Sequence, residues 1–218
     1  MFKLLGYALL HRYSFNDGTT SDSVGGSPFA GSIVGSASVS GNQLMISSLG
    51  PYMSVPASVF GSYTAITIEV WATTASSLGG YARIFQLGSS VSNMASLVLD
   101  RNSVNGYVQM EYRPDLTAYI ASSTVTFSGQ TLHVAIVLAV GAQPMLYVNG
   151  AYAGSAPYTM TTMLTPAQFR LGGSLDGGNQ FQGSIDEFRI WGGTLSASDI
   201  ATRFSQGPGE RCRVVDIY

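Results

Sequence analysis

The sequence predicts an all-β fold, an antiparallel sandwich or barrel with one short helix near the C-terminus. Three observations support this. About ten short strand-like runs follow one another, clusters of Gly, Ser, Asn and Asp separate them, and one segment carries helical start and stop signals. A length of 218 residues suits one large all-β domain, and a hydrophobic fraction of 45% suffices for its core.

The strand candidates alternate between apolar and polar residues. The clearest run, residues 64–73, places Ile68 and Val70 on one face of the strand. Glu69 and Trp71 fall on the opposite face. The other predicted strands are residues 8–15, 82–87, 95–100, 106–113, 131–139, 145–148, 151–155, 169–172 and 183–191.

Two short motifs predict where secondary-structure elements begin and end. Asn149 and Gly150 stand between two strand-like runs, and both residues tolerate a positive φ, so they predict a tight β-hairpin. Ser196 is placed to cap a helix, with Asp199 three residues later near the positive helix end. The Gly-Pro pair at 207–208 ends that helix.

Composition excludes several classes of protein. Charged residues make up 10% of the chain, against about 25% in an average soluble domain. Ten basic residues face twelve acidic ones with no basic stripe, which excludes nucleic-acid binding. No apolar run reaches the ~18 residues needed to span a bilayer, so membrane insertion is not expected. Cys212 is the only cysteine, which excludes an intramolecular disulfide.

Several segments together resemble one known family. They occur in the expected order and read HRYSFNDG at 11–18, AITIEVW at 65–71, LYVNGAYAGS at 146–155, LGGS at 171–174 and FQGSIDEFRIW at 181–191. This set resembles the laminin-G-like, concanavalin A-like lectin/glucanase domains. The resemblance implies an antiparallel jelly-roll β-sandwich over residues 8–206, between an N-terminal extension (1–7) and a C-terminal tail (207–218).

The resemblance predicts the fold but does not identify one function, because this fold occurs in lectins, glycosidases, adhesion modules and pentraxins. A neutral, aromatic-bearing surface favours a non-enzymatic module that recognises a glycan or glycoprotein. Such a module is expected outside a cell, or on the surface of a cell or particle. The short apolar stretch at 1–10 lacks a small-residue cleavage site, so no cleavable signal peptide is expected.

Candidate ligand-binding residues come from the strand patterns. Tyr107, Gln109, Glu111 and Arg113 share one face of a predicted strand, with Tyr112 and Tyr119 near it. Trp71 lies opposite the aliphatic face of its own strand. These residues fit the lining of a concave sheet that binds sugar. The alternative is that Trp71 and some tyrosines fill the second side of the sandwich or an interface.

A calcium site is a second candidate. The face shared by Asp186, Phe188 and Ile190 predicts that the Asp186 carboxylate points inward, where it needs a hydrogen-bond partner or a cation. In related jelly rolls the equivalent aspartate often binds Ca²⁺ together with the opening loop. Asp17 and Asp22 lie in that loop, and oxygen ligands suit Ca²⁺. The alternative is that Asp186 accepts backbone N–H groups or pairs with an arginine.

Catalysis and assembly remain as alternatives. His11 and His133 sit inside strand patterns, which indicates structural roles. Asp186 and Glu187 are adjacent and point to opposite faces, so they do not form a catalytic pair. A glycoside hydrolase using Glu111 is therefore a minor alternative. The main alternative is a self-assembling structural subunit of a virion, appendage or surface layer. The low surface charge and the apolar segments at 1–7 and 214–218, which are suited to docking on another copy, support it.

Overall fold

In the computed structural model, residues 7–75, 81–99, 107–127, 129–178 and 181–209 are described. The strands are β1 (Ala8–Tyr13), β2 (Ser32–Val34), β3 (Ser38–Ser40), β4 (Gln43–Ile46), β5 (Tyr52–Ser54), β6 (Ala65–Thr74), β7 (Ala82–Ser90), β8 (Asn93–Leu99), β9 (Tyr107–Arg113), β10 (Tyr119–Thr126), β11 (Thr131–Ala139), β12 (Met145–Val148), β13 (Ala151–Ser155), β14 (Gln168–Leu171) and β15 (Gly183–Gly192). One α-helix, α1 (Ala197–Gln206), follows β15.

These strands form two antiparallel sheets that pack face to face. Sheet A has the order β13-β12-β11-β6-β15-β4-β3, and β1 pairs with the far half of β15. Sheet B has the order β10-β9-β8-β7-β14-β5-β2. Neighbours in each sheet are often distant in the chain, as with β7 and β14. The predicted jelly-roll β-sandwich with one short C-terminal helix is confirmed.

The core lies between the two sheets. Phe188 enters it from sheet A, and Phe85 and Phe169 enter it from sheet B. Their ring centroids are 5.8 Å apart for Phe85–Phe188 and 5.4 Å apart for Phe169–Phe188. Each such pair contributes roughly 0.5–1.5 kcal/mol beyond its buried area. These aromatic contacts therefore tie the two layers together.

The local signals behave as predicted. Asn149 and Gly150 join β12 to β13 with φ angles of 49° and 78°. Ser196 caps α1, and its side chain and that of Asp199 complete a reciprocal capping box. Gly207 ends the helix. Among the described residues, no helix is long and apolar enough to cross a membrane.

Five strands were not predicted, namely β2, β3, β4, β5 and β10. Four of them are only three or four residues long, too short for alternation to be visible. β10 contains Ser122 and Thr124 facing solvent at the edge of sheet B, so its apolar signal is weak. Short or edge strands depend on pairing with a neighbour more than on their own pattern.

Candidate functional site

A row of polar side chains crosses the outer side of sheet B. Glu111 on β9 pairs with Ser96 on β8, Ser96 pairs with Gln86 on β7, and Gln86 pairs with Arg170 on β14. The row covers three interstrand spacings, about 14 Å. Arg83 stands beside it, nearer the start of β7. We call the outward side of β7, β8, β9 and β14 the polar face.

Strand geometry explains why these residues share one side. β9 alternates regularly, so Met110 points into the core and Glu111 points outward. β7 is irregular, with a register shift between Arg83 and Phe85. The shift turns both Ile84 and Phe85 into the core. As a result, Arg83 and Gln86 lie on the same outer side although they are three residues apart.

The polar face is unusually buried for the outer side of a sheet. The exposed fractions are 0% for Gln86 and Ser96, and 7% for Arg83. The loop at 172–178 is fastened to this side by two hydrogen bonds. The backbone N–H of Leu175 donates to Oε1 of Gln86 at 2.8 Å, and Nη1 of Arg170 donates to the carbonyl of Ser174 at 2.6 Å. The loop therefore forms one wall of the site.

Two buried polar atoms on this face lack a partner. Nε of Arg83 and Oγ of Ser96 make no hydrogen bond in the described part of the chain. The amide nitrogen of Gln86 reaches only Sδ of Met94, at 3.2 Å. A thioether is a weak acceptor. Leaving a buried donor or acceptor unsatisfied costs about 1–3 kcal/mol, so these atoms gain from a ligand that satisfies them.

Charges flank these atoms. Oε1 of Glu111 accepts hydrogen bonds from Nε and Nη2 of Arg113, at 2.9 and 2.7 Å. Burial lowers the pKa of Arg83, and the charges of Asp176 and Glu111 oppose that shift. Burial acts to raise the pKa of Asp176, but the hydrogen bond from Ser174 and the nearby guanidinium of Arg83 hold it below its usual value. Asp176 is therefore ionised at neutral pH.

The structure locates the predicted ligand-binding residues in three different regions. Tyr107, Gln109, Glu111 and Arg113 occupy alternate positions on the outer side of β9, as expected. Tyr112 points the other way and is 1% exposed in the core. Tyr119 also turns inward, half-buried, with its ring 4.7 Å from that of Tyr158. Tyr112 and Tyr119 therefore support the sheet from behind and do not line the polar face.

Trp71 lies on the outer side of sheet A and is 3% exposed. Its ring is 4.3 Å from the ring of His133, and the guanidinium of Arg189 lies 4.8 Å from its centroid. Trp71 is thus away from the polar face, and its faces are occupied by protein groups. Its placement agrees with the alternative that it fills the second side of the sandwich.

The charges beside Trp71 neutralise one another. Arg189 pairs with Oε2 of Glu69 at 3.4 Å and with Oε1 of Glu187 at 3.1 Å. Arg12 adds a second guanidinium, whose Nε lies 2.6 Å from Oε1 of Glu187. His133 contacts Glu69 at 2.9 Å. His133 is therefore part of a buried structural network, in line with the sequence interpretation.

Asp22 is held by protein donors. Its Oδ1 accepts the backbone N–H groups of Arg12, Val24 and Gly25 at 2.8–3.0 Å. Its Oδ2 lies 2.6 Å from Nδ1 of His11. His11 thus has a structural partner, and the opening loop is fixed to β1.

The other two predicted calcium ligands lie apart from this arrangement. Asp17 is exposed and accepts hydrogen bonds from the backbone N–H and hydroxyl of Thr19. The inward orientation predicted for Asp186 is wrong, because a register shift between Ile185 and Glu187 breaks the alternation there. Asp186 is half-buried, with a hydrogen bond to Gln43. No group of three or more His, Cys, Asp or Glu side chains in the described ranges is arranged to hold a metal. Calcium binding stays a prediction.

The predicted docking segments at 1–7 and 214–218 fall almost entirely outside the described residues. Tyr7 is the exception. Its hydroxyl donates to Oδ1 of Asp199 at 2.9 Å, and its ring meets that of Trp191 edge-on at 5.9 Å. Tyr7 therefore packs on α1 and on the outer side of sheet A.

Sequence reasoning missed Arg83, Gln86, Ser96 and Arg170. Their strands were predicted, but the polar positions inside them were not singled out. The sequence did contain one sign of these positions, because the polar residues Arg83 and Gln86 interrupt an otherwise apolar run. What the sequence does not show is the register that aligns β14 with β7 and so brings Arg170 beside Gln86.

A family model described as the concanavalin A-like lectin/glucanases superfamily matches residues 47–201. Among curated proteins, none matches the sequence significantly.

Solved structures share the fold. Domain 4 of AbnA, an extracellular GH43 arabinanase from Geobacillus stearothermophilus solved with arabinotriose, superposes with a TM-score of 0.73 at 21% identity, covering 90% of this chain and 98% of that domain. The CBM40 of the Ruminococcus gnavus IT-sialidase, solved with α2,3 sialyllactose, has a TM-score of 0.62 at 18% identity, covering 73% and 95%. At these identities the likeness establishes the fold alone.

Proposed function

Because this chain belongs to the concanavalin A-like lectin/glucanase superfamily, we propose that it is a non-enzymatic module that binds a glycan or glycoprotein on the polar face. Members of the superfamily include both binding domains and enzymes, so the family by itself does not decide between them. The residues of the polar face are what favours a binding module over an enzyme.

One observation carries it. Nε of Arg83 and Oγ of Ser96 are buried on an outer sheet surface with no hydrogen-bond partner among the described residues, and the amide of Gln86 on the same face is poorly satisfied. A sugar hydroxyl both donates and accepts hydrogen bonds, so a row of hydroxyls satisfies guanidinium, hydroxyl and amide groups together. A glycan therefore suits this face better than an apolar ligand does.

The carboxylates on this face support binding without turnover. A glycosidase needs one carboxylic acid with a raised pKa to protonate the leaving oxygen. The pKa of Asp176 is shifted downward, the direction opposite to the one a general acid requires. Glu111 is engaged through Oε1 by two hydrogen bonds from Arg113. We therefore expect no release of reducing ends from any oligosaccharide that binds.

A glycan array followed by calorimetry tests the proposal. Ser96→Ala removes one unpartnered hydroxyl, so affinity should fall roughly two- to tenfold while the melting temperature stays unchanged. Ser96→Leu crowds the face and should abolish binding, and its circular dichroism spectrum is compared with that of wild type to show that the fold is kept. The matched control is Ser40→Ala, at an exposed position on β3. Wild-type protein that binds no glycan, or Ser96→Leu protein that binds as tightly as wild type, would overturn the proposal.

A glycan ligand favours a location outside a cell, or on the surface of a cell or particle, and we propose that location for this protein. Surface labelling of intact source cells or particles with an antibody checks this. Signal that requires permeabilisation would contradict it.

Self-association is a second candidate function, favoured by the edge of sheet B. β2 ends that sheet, and its Ile33 and Val34 are 37% and 38% exposed. The strand carries no charge or proline to block pairing with another copy. Light scattering should show an oligomer that Ile33→Lys dissociates, while Val91→Lys, in the exposed turn between β7 and β8, leaves it intact. A monomer at every concentration would reject this candidate.

A further inference from the structure

Arg83 differs from the other buried arginine in its surroundings. In the described part of the chain, two arginines are buried, Arg83 at 7% exposure and Arg189 at 1%. Arg189 forms ion pairs with Glu69 and Glu187. Arg83 forms no ion pair with any described residue. Its one hydrogen bond there runs from Nη1 to the carbonyl of Tyr81, at the long distance of 3.5 Å.

Burial of an unpaired guanidinium is unfavourable, because the charge loses water without gaining a counter-ion. The same loss of hydration lowers the pKa of Arg83. The sheet holds this side chain on the polar face all the same, opposite Val98 and two residues along β8 from Ser96, whose hydroxyl has no partner among the described residues. Asp176 and Glu111 act on Arg83 only at a distance, and a ligand carboxylate supplies the direct ion pair that no described residue makes with it. A guanidinium binds a carboxylate through two parallel hydrogen bonds.

Other groups on the face limit how much negative charge the ligand carries. Glu111 and Asp176 act on Arg83 electrostatically and repel a second carboxylate. Between Arg83 and Glu111 lie the uncharged groups of Gln86 and Ser96, which match hydroxyls. The face therefore fits a ligand with one carboxylate at one end and several hydroxyls along its length.

From this arrangement we propose that the polar face binds an acidic glycan, with the carboxylate of one sugar on Arg83 and its hydroxyls on Ser96 and Gln86. This inference rests on the proposed glycan-binding function and specifies its ligand class. Uronic acids and sialic acids carry the same chemistry, and the experiment distinguishes them.

The test measures calorimetric affinity for two matched pairs of probes. Methyl galacturonoside is compared with methyl galactoside, and sialyllactose is compared with lactose, so that each acidic probe carries a single carboxylate. We expect one acidic member to bind roughly ten- to hundredfold more tightly than its neutral partner, as an added charge-assisted hydrogen-bond pair provides. The pair that shows the preference identifies the source of the carboxylate. The preference should shrink as salt is added.

Variants assign the effect to Arg83. Arg83→Gln should bring acidic and neutral probes to equal affinity. The control, Arg203→Gln, removes the same charge from α1, away from the polar face, and should retain the preference. An unchanged preference in Arg83→Gln overturns the inference.

A stability measurement separates a ligand-binding role from a structural one. Because Arg83 is buried and forms no ion pair with any described residue, Arg83→Met should keep or raise the melting temperature. Arg189→Met should lower it clearly. A loss in Arg83→Met as large as that in Arg189→Met would show that Arg83 holds the fold, and would overturn the inference.

The outcomes also separate this inference from the broader proposal. Equal binding of acidic and neutral probes, lost in Ser96→Leu, keeps glycan binding and rejects the acidic ligand. Failure of every probe to bind rejects both.

Discussion

Oε1 of Glu69 lies 2.9 Å from Nε2 of His133, across the adjacent strands β6 and β11, and neither side chain is exposed. The other carboxylate oxygen accepts Nε1–H of Trp191 at 3.1 Å and faces Arg189 at 3.4 Å. One carboxylate thus joins three side chains from two strands on the outer side of sheet A. The buried charges there are matched within the protein, in contrast with Arg83 on sheet B.

Glu69→Gln should therefore be strongly destabilising. The change leaves the Arg189 guanidinium and the His133 ring with a neutral partner in a buried site, so we expect a loss of about 3–5 kcal/mol in the free energy of unfolding. Urea unfolding followed by tryptophan fluorescence measures it. The control, Asp115→Asn, changes an exposed carboxylate that accepts a turn hydrogen bond and should cost little. Equal effects of the two changes would contradict the role assigned to Glu69.

Asp22 should make stability depend on pH. Burial acts to raise the pKa of Asp22, but the hydrogen bonds from His11 and three backbone N–H groups outweigh it and lower the pKa below 3.8. A depressed pKa stabilises the folded state above about pH 4, and this contribution is lost as pH falls through the folded-state value. Asp22→Asn should be about 1–3 kcal/mol less stable at neutral pH.

The pH titration of Asp22→Asn checks the same point. Its unfolding free energy should fall less steeply than that of wild type below pH 4. Parallel curves for the two proteins would exclude Asp22 as a source of the acid sensitivity.

The capping box of α1 gives a third prediction. Ser196→Ala removes the acceptor for the backbone N–H of Asp199 and should cost about 1 kcal/mol. Ser205→Ala, in the last turn of the helix, is the matched control. Thermal unfolding measured by circular dichroism compares them. A cost as large in Ser205→Ala would mean that the loss does not come from the cap.

Calcium binding is checked by chelation. A Ca²⁺ ion held by Asp186 with Asp17 or Asp22 would stabilise the folded protein, so EDTA should lower the melting temperature of wild type. The Asp186→Asn protein should melt at the same temperature with and without EDTA. Identical melting of wild type under both conditions would reject the prediction.

The elements with a strong local signal were predictable. Alternation in β6 separates Ile68 from Glu69 in the sequence as it does in the structure, and Ser196 and Gly207 bound the helix where expected. The inward orientation predicted for Asp186 was wrong because a bulge adds one residue to the strand there and changes which face the following residues share. The alternation of apolar and polar residues in the sequence does not reveal such a bulge.

The candidate site was less predictable for the same physical reason. Glu111 and Arg113 were found because one strand holds both of them. Gln86 and Arg170 become neighbours only through pairing of β7 with β14, which lie about 80 residues apart in the chain. Register of that kind depends on the whole sheet.

The position of β14 between β7 and β5 also bears on how the protein is made. During synthesis β7 and β8 leave the ribosome well before residue 168. One edge of β7 therefore has no strand to pair with until β14 has been synthesised. Contacts between such distant segments form slowly. The polar face is thus complete only in the finished chain, and we expect a nascent or truncated form that ends before β14 to lack the proposed binding site.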